Sequence, residues 1–219
     1  QFGNPVSQGG TAITLTLNNA GSSALTGTNP RTTDGSGAAT FNDLIVTGAP
    51  GTGFNFTATG GSLTQGTSSN FDIARRIIVK GSGNTAFNLA SSWTNGVVPA
   101  ADDIAQIDNT SVIVGAFTPD IGGNASWYGL NIIGWAASTG YGVTDTNNGG
   151  GHVVTLGAGG LTCSSATHST SFANGFALGN DQTWIWSGGP FSLAVLGSID
   201  NGGYHFGLNV SQPITVSGS

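Results

Sequence analysis

Three acidic residues stand close together in this chain, Asp102, Asp103 and Asp108, and no other acidic group is as dense. Hydrolysis by paired carboxylates needs two acids fixed several ångströms apart, in surroundings that separate their proton affinities. Adjacent residues on a strand point to opposite faces, so Asp102 and Asp103 cannot both face one substrate unless a turn bends them together. A structural turn is the favoured reading. Asp and Asn oxygens in turns would also suit Ca2+, although the spaced, Asp-rich loop of calcium motifs is missing. His152, His168 and His205 have no histidine at strand or helix spacing, and Cys163 has no second ligand pair, so zinc is not expected. A Cys–His nucleophile would need a third, orienting group that the sequence does not identify, and Cys163 reads as a buried thiol. The expectation is a chain with no catalytic residues, no cofactor beyond that calcium option, and no enzymatic turnover.

The tryptophans are the other candidates: Trp93, Trp127, Trp135, Trp184 and Trp186. An exposed indole can stack on the C–H face of a sugar ring. Trp184 and Trp186 share one strand face, which suits either a carbohydrate platform, with Trp135, or the core between stacked strands. A glycan is therefore one partner to consider. His205, between Tyr204 and Phe206, is expected to face solvent.

These residues must be positioned by strands. Among 219 residues there are 38 Gly, one Cys, no Met and no Glu, and only 6% are charged. The strong helix formers are nearly absent, while Thr, Val, Ile and Phe abound, so the fold class is all-β. A net charge of −6, with no basic run longer than Arg75-Arg76, lacks the footprint of a nucleic-acid or anionic-membrane binder. No apolar stretch is long enough for a membrane-spanning helix. Low charge with abundant Gly, Asn, Ser and Thr suits an exported surface protein.

In the first 73 residues, Ile13, Leu15 and Leu17 alternate with Thr14 and Thr16, and Phe54, Phe56 and Ala58 alternate with polar residues. That is the pattern of half-buried strands. Segments 24–26, 39–41 and 69–73 read as further strands, and 50–53 as the clearest turn. Gln1-Phe2-Gly3-Asn4-Pro5-Val6, Thr33-Asp34-Gly35-Ser36-Gly37-Ala38-Ala39-Thr40-Phe41 and Gly51-Thr52-Gly53-Phe54-Asn55-Phe56-Thr57-Ala58 carry a resemblance to the bacterial immunoglobulin-like modules of repeated surface proteins. That resemblance implies a β-sandwich over residues 1–74. The family's first strands precede its Gly-Asn-Pro-Val stretch, so the sandwich is expected to be incomplete by roughly two strands out of about seven.

Arg75, Arg76 and Lys80 hold three of the four basic residues and mark the boundary between residues 1–74 and 75–219. The arginine pair reads as solvated linker. Beyond it, short strands are expected at 104–107, 112–114, 129–133, 152–156, 160–163, 176–178, 183–186, 193–196, 204–208 and 214–216. Even spacing and periodic Gly suggest a β-helix, or β-solenoid; a second sandwich would show similar spacing, and periodicity alone leaves both open. Ala86-Phe87-Asn88-Leu89-Ala90-Ser91-Ser92-Trp93-Thr94-Asn95-Gly96-Val97-Val98-Pro99-Ala100-Ala101-Asp102-Asp103-Ile104-Ala105 resembles the opening coil of β-helical surface proteins. Val154-Thr155-Leu156-Gly157-Ala158-Gly159-Gly160-Leu161-Thr162, Leu178-Gly179-Asn180-Asp181-Gln182-Thr183-Trp184 and Ile214-Thr215-Val216-Ser217-Gly218 resemble autotransporter-associated β-strand repeats. The resemblance implies a secreted bacterial cell-surface stalk, filament or adhesin without a common enzymatic activity.

Both ends read as unfinished. The expected partners are copies of the same chain, a homopolymer formed head-to-tail by strand complementation, or adjoining segments of a longer chain. Phe2, Val6, Ile214 and Val216 are the candidate assembly residues. The competing class is a carbohydrate-binding module or a polysaccharide-acting enzyme on a β-helix.

Overall fold

The computed structural model describes residues 7–83, 85–108, 111, 117–133, 141–145, 151–164, 170–187, 193–211 and 213–217. About 50% of the chain is strand and 2% is helix, so the fold is all-β. The chain divides into two compact units, Gln1–Arg75 and Arg76–Ser219.

The first unit holds β1 (Ala12–Asn18), β2 (Ala24–Thr26), β3 (Arg31–Thr32), β4 (Ile45–Thr47), β5 (Gly51–Thr59), β6 (Gly66–Thr67) and β7 (Phe71–Ile73). β1 lies antiparallel between β3 and β5, β6 and β7 pair with β5, and β2 pairs with β4 as a separate ribbon. In β1 the half-buried apolar positions are Ile13, Leu15 and Leu17, as the alternation requires. Phe54 and Phe56 pack on Phe71 with ring centroids 5.9 and 5.1 Å apart. Asn29 acts as a substitute strand: its amide accepts from Leu15 N–H at 2.9 Å and donates to Leu15 O at 2.7 Å. Two expectations are corrected. Segment 39–41 is not a strand. Segment 50–53 is not a turn: Gly51–Gly53 open β5, and the β5–β7 register shifts between Gly51 and Phe54. Gly53, at φ +74°, takes up that bulge and donates its N–H to the Asp72 carboxylate at 2.8 Å.

The second unit is a β-solenoid of about four turns. Its strands are β8 (Ile77–Val79), β9 (Ile104–Ile107), β10 (Ala125–Ile133), β11 (Tyr141–Val143), β12 (Val153–Ser164), β13 (Thr170–Phe172), β14 (Gly175–Leu178), β15 (Gln182–Ser187), β16 (Leu193–Val195), β17 (Ile199–Asp200), β18 (Phe206–Val210) and β19 (Ile214–Val216). One sheet runs β8, β9, β10, β12; β14 and then β17 continue it along the first half of β12, β15 and then β18 along the second. The other sheet runs β11, β13, β16, β19. Every pairing between these strands is parallel. This decides between the two architectures left open by spacing, because a sandwich of hairpins pairs its neighbours antiparallel. Segments 152–156 and 160–163, expected as two strands, are one strand, β12, whose ladder to β10 shifts by a bulge after Trp127.

Parallel register makes like positions stack, so each inward side chain sits on its counterpart in the previous coil. Ile107, Ile132, Cys163 and Trp186 form one such column, and all four are buried. Val143, Phe172 and Val195 form another on the second sheet. Such columns bury apolar area continuously from coil to coil, which is what stabilises a solenoid lacking a globular core. No helix among the described residues is long and apolar enough to cross a membrane.

Candidate functional site

The two ends of the solenoid differ. At the first coil, the outer edge of β8 is covered by the segment around a short 3-10 helix, Ala90–Ser92. Gly81 N–H donates to Ser92 O at 2.7 Å, Thr94 N–H donates to Val79 O at 3.0 Å, and Lys80 and Trp93 form an antiparallel bridge. This segment puts Phe87 and Trp93 under the first coil, 5.6 Å apart, with the Trp93 ring edge-on to Trp127 at 6.1 Å. Trp93 Nε1–H donates to Phe87 O at 2.9 Å, and the Ser92 hydroxyl donates to Ala86 O. The strand edge and its apolar end are thereby closed.

At the last coil, β17, β18 and β19 each have a neighbour on one side only among the described residues: β14, β15 and β16. Their inward positions continue the buried columns. Val210 pairs with Trp186, Leu208 with Trp184, and Val216 with Val195. The earlier members are buried, whereas Val210, Leu208 and Val216 are 38%, 50% and 47% exposed. The same column that is core in one coil is bare surface in the last. Ile214, stacked on Leu193, is half-buried.

Trp184 and Trp186 do not form a carbohydrate platform. Both indoles are enclosed between the sheets, so neither ring face can meet a sugar. Trp184 packs edge-on against Phe176 at 5.2 Å and Phe206 at 5.0 Å, and its Nε1–H donates to Gln182 Oε1 at 2.8 Å. Phe2, Val6 and Trp135 lie outside the described residues, as do His168 and segment 112–114. Cys163 is buried and outside any disulfide, and His205 is exposed.

Asp102 and Asp103 lie in the turn before β9. The Asp103 carboxylate accepts from Arg76 Nε and Nη2 at 2.9 and 2.8 Å and from Ala100 N–H at 2.8 Å. The Arg76 hydrogen bonds hold the Asp103 carboxyl below its usual range against the opposing effect of burial. Arg76 is thus a clamp on the first coil and not a linker residue. Only its composition was visible in the sequence; its partner lies 27 residues on.

Two features escape sequence reading. His152, which has no histidine partner, has an aspartate: its Nδ1 lies 3.0 Å from Asp145 Oδ1, and its backbone N–H donates to Asp145 Oδ2 at 3.0 Å. Lys80, grouped with the boundary arginines, is fully buried. Its ammonium donates to Gly81 O at 3.2 Å, Gly83 O at 3.1 Å and the Thr85 hydroxyl at 3.4 Å, and lies 5.7 Å from the Phe117 ring centroid. Burial lowers its pKa to about 8. The signal for its role is its place at the end of the apolar run 77–79, where an inward position follows Ile78. Among the described residues, no group of three or more His, Cys or Asp side chains could hold a metal ion.

Comparison with protein-family models, with curated proteins and with solved structures gives no match to this chain.

Proposed function

We propose that this chain is a structural, non-enzymatic element of an extracellular bacterial surface stalk, filament or adhesin, whose last coil is continued by further β-structure laid against β17, β18 and β19. The observation that carries this reading is the exposure of Leu208, Val210 and Val216 at the ends of otherwise buried columns. A solenoid end needs a polar cap or a neighbour, and three apolar side chains beside strand edges that have no partner among the described residues supply a surface for the neighbour. The resemblance of residues 1–74 to bacterial immunoglobulin-like modules and of residues 75–219 to autotransporter-associated repeats supports a place on the cell surface. Head-to-tail assembly of copies follows if strands of one chain complete the edge of the next.

The test is light scattering after size exclusion, with negative-stain microscopy, on the chain and on the Leu208→Lys/Val216→Lys double variant. The reading expects concentration-dependent oligomers or fibres for the unaltered chain and monomers for the variant, because two ammonium groups on the open end oppose stacking. A monodisperse monomer of the unaltered chain at high concentration rejects assembly between copies.

A further inference from the structure

On the lateral face of the solenoid, outward positions of three successive coils form a trough of about 670 Å³. Its floor is low because the residues there are small. Gly207 pairs with Thr183 across the β15–β18 ladder, and Gly159 continues the floor on β12. One wall is Thr162 and Ile185, which are register partners. The other is Asp181 and His205, joined by the His205 N–H donating to Asp181 Oδ1 at 2.9 Å. At the β10 end the Tyr128 ring lies against Gly159, so close that a methyl group there would stand 2.7 Å from Cδ1 and Cε1. The trough therefore runs across the strands, along the solenoid axis, towards an aromatic ring.

We propose that this trough binds a neutral, extended glycan. β15 is flanked by β12 and β18, so its backbone hydrogen-bonding groups are already engaged in ladders. A peptide docking by strand addition finds no free edge on β12 or β15. What the trough offers instead is side-chain hydrogen bonding: the Thr162 and Thr183 hydroxyls, the Asp181 carboxylate and the His205 ring. These complement sugar hydroxyls, and the Ile185 side chain in the wall complements the apolar C–H face of a pyranose. Coils repeat at about 4.8 Å, so three coils span about 10 Å, room for about two sugar rings in line. Asp181 and the chain's net charge of −6 select against acidic sugars. The site is distinct from the buried Trp184 and Trp186, and its outer end, at His205, Phe206 and Gly207, lies on the last coil itself.

Isothermal titration and saturation-transfer NMR of the intact chain test this with cellohexaose, xylohexaose and chitohexaose as neutral probes, hexagalacturonate as an acidic one and a proline-rich decapeptide as a peptide. The expected result is binding of at least one neutral hexaose, with Kd on the order of 0.1–1 mM. Thr183→Trp, which fills the floor from an exposed position, and Asp181→Ala, which removes the carboxylate from the wall, each weaken it at least about tenfold, with circular dichroism and melting unchanged for Thr183→Trp. Binding of none of the neutral probes, binding that survives Thr183→Trp, or binding of only the acidic glycan or the peptide overturns the proposal.

Discussion

The ammonium of Lys80 lies 5.8 Å from the centroid of the Phe87 ring, inside the segment that closes the first coil. Phe87 in turn packs on Trp93 and Trp127, so a single buried charge sits at the end of an aromatic cluster. The carbonyl oxygens of Gly81 and Gly83, the Thr85 hydroxyl and the Phe87 and Phe117 rings compensate that charge.

The Lys80 pKa of about 8 fixes the direction of a pH effect. In the unfolded chain the group titrates at its ordinary 10.5, so between pH 8 and 10.5 the unfolded state holds more protons and stability rises with pH. Below pH 8 both states are protonated and the folded state bears the full cost of the buried charge. Relative to Lys80→Met, the native chain should gain up to about 3 kcal/mol between pH 7 and 10.5. Urea unfolding of both proteins by tryptophan fluorescence at pH 7, 8, 9 and 10 measures the difference, and a difference independent of pH rejects the assignment.

The Arg76–Asp103 clamp works in the opposite direction. A carboxyl held below its unfolded value contributes stability above 3.8, and that contribution is lost as pH falls through the lower folded-state value. Asp103→Asn should cost about 1–3 kcal/mol at pH 7, since the Arg76 fork loses its charged acceptor while Ala100 N–H keeps a partner. The gap between native and variant should narrow once the pH is below 3.8. A constant gap from pH 7 to pH 3 in equilibrium unfolding would mean that the ion pair is not its source.

Strand positions were legible because short apolar runs separated by Gly and Asn fix where a coil can turn. Segments 104–107 and 214–216 coincide with β9 and β19. Parallel pairing was not legible, since spacing is the same for a hairpin and a coil; it emerges only when Ile132, Cys163 and Trp186 are seen to stack. Trp184 and Trp186 were visible as a shared strand face, but which face pointed inward depended on a second sheet whose strands are three residues long. The Lys80 cage and the Asp181–His205 contact join residues through tertiary folding, and no local pattern encodes them. Segment 50–53 reads as a turn by composition, yet Gly53 serves a bulge because the β5–β7 ladder holds the strand through it.

Trp184 and Gln182 form a buried relay: the indole donates to Gln182 Oε1, and Gln182 Nε2 donates to Leu156 O at 2.8 Å, linking two coils. Trp184→Phe keeps most of the packing but leaves Gln182 Oε1 without its donor, at a cost of about 1–3 kcal/mol. Trp184→Ala also opens a cavity between Phe176 and Phe206 and should cost about 3–5 kcal/mol. Thermal and urea unfolding give both values. Equal costs for the two substitutions would show that packing of the six-membered ring contributes nothing, contrary to its burial.

At Gly197 one coil passes close against the backbone of the coil before it. A methyl group there would lie 2.5 Å from the backbone carbonyl carbon and oxygen of Asn174 and from Gly175 N, all rigid atoms of the preceding coil. Gly203, by contrast, has open space around it but a φ of +87°. Gly197→Ala must push two coils apart and should destabilise by at least about 1–3 kcal/mol, with loss of protection in β14 and β17, which pair just beyond the contact. Gly203→Ala meets only backbone strain, about 1–2 kcal/mol, and should leave the ladder intact. Amide hydrogen exchange separates them: loosened amides at Phe176 and Ala177 in Gly197→Ala, unchanged ones in Gly203→Ala. Equal protection of those amides in both variants would rule out close coil contact as the source of the Gly197 requirement.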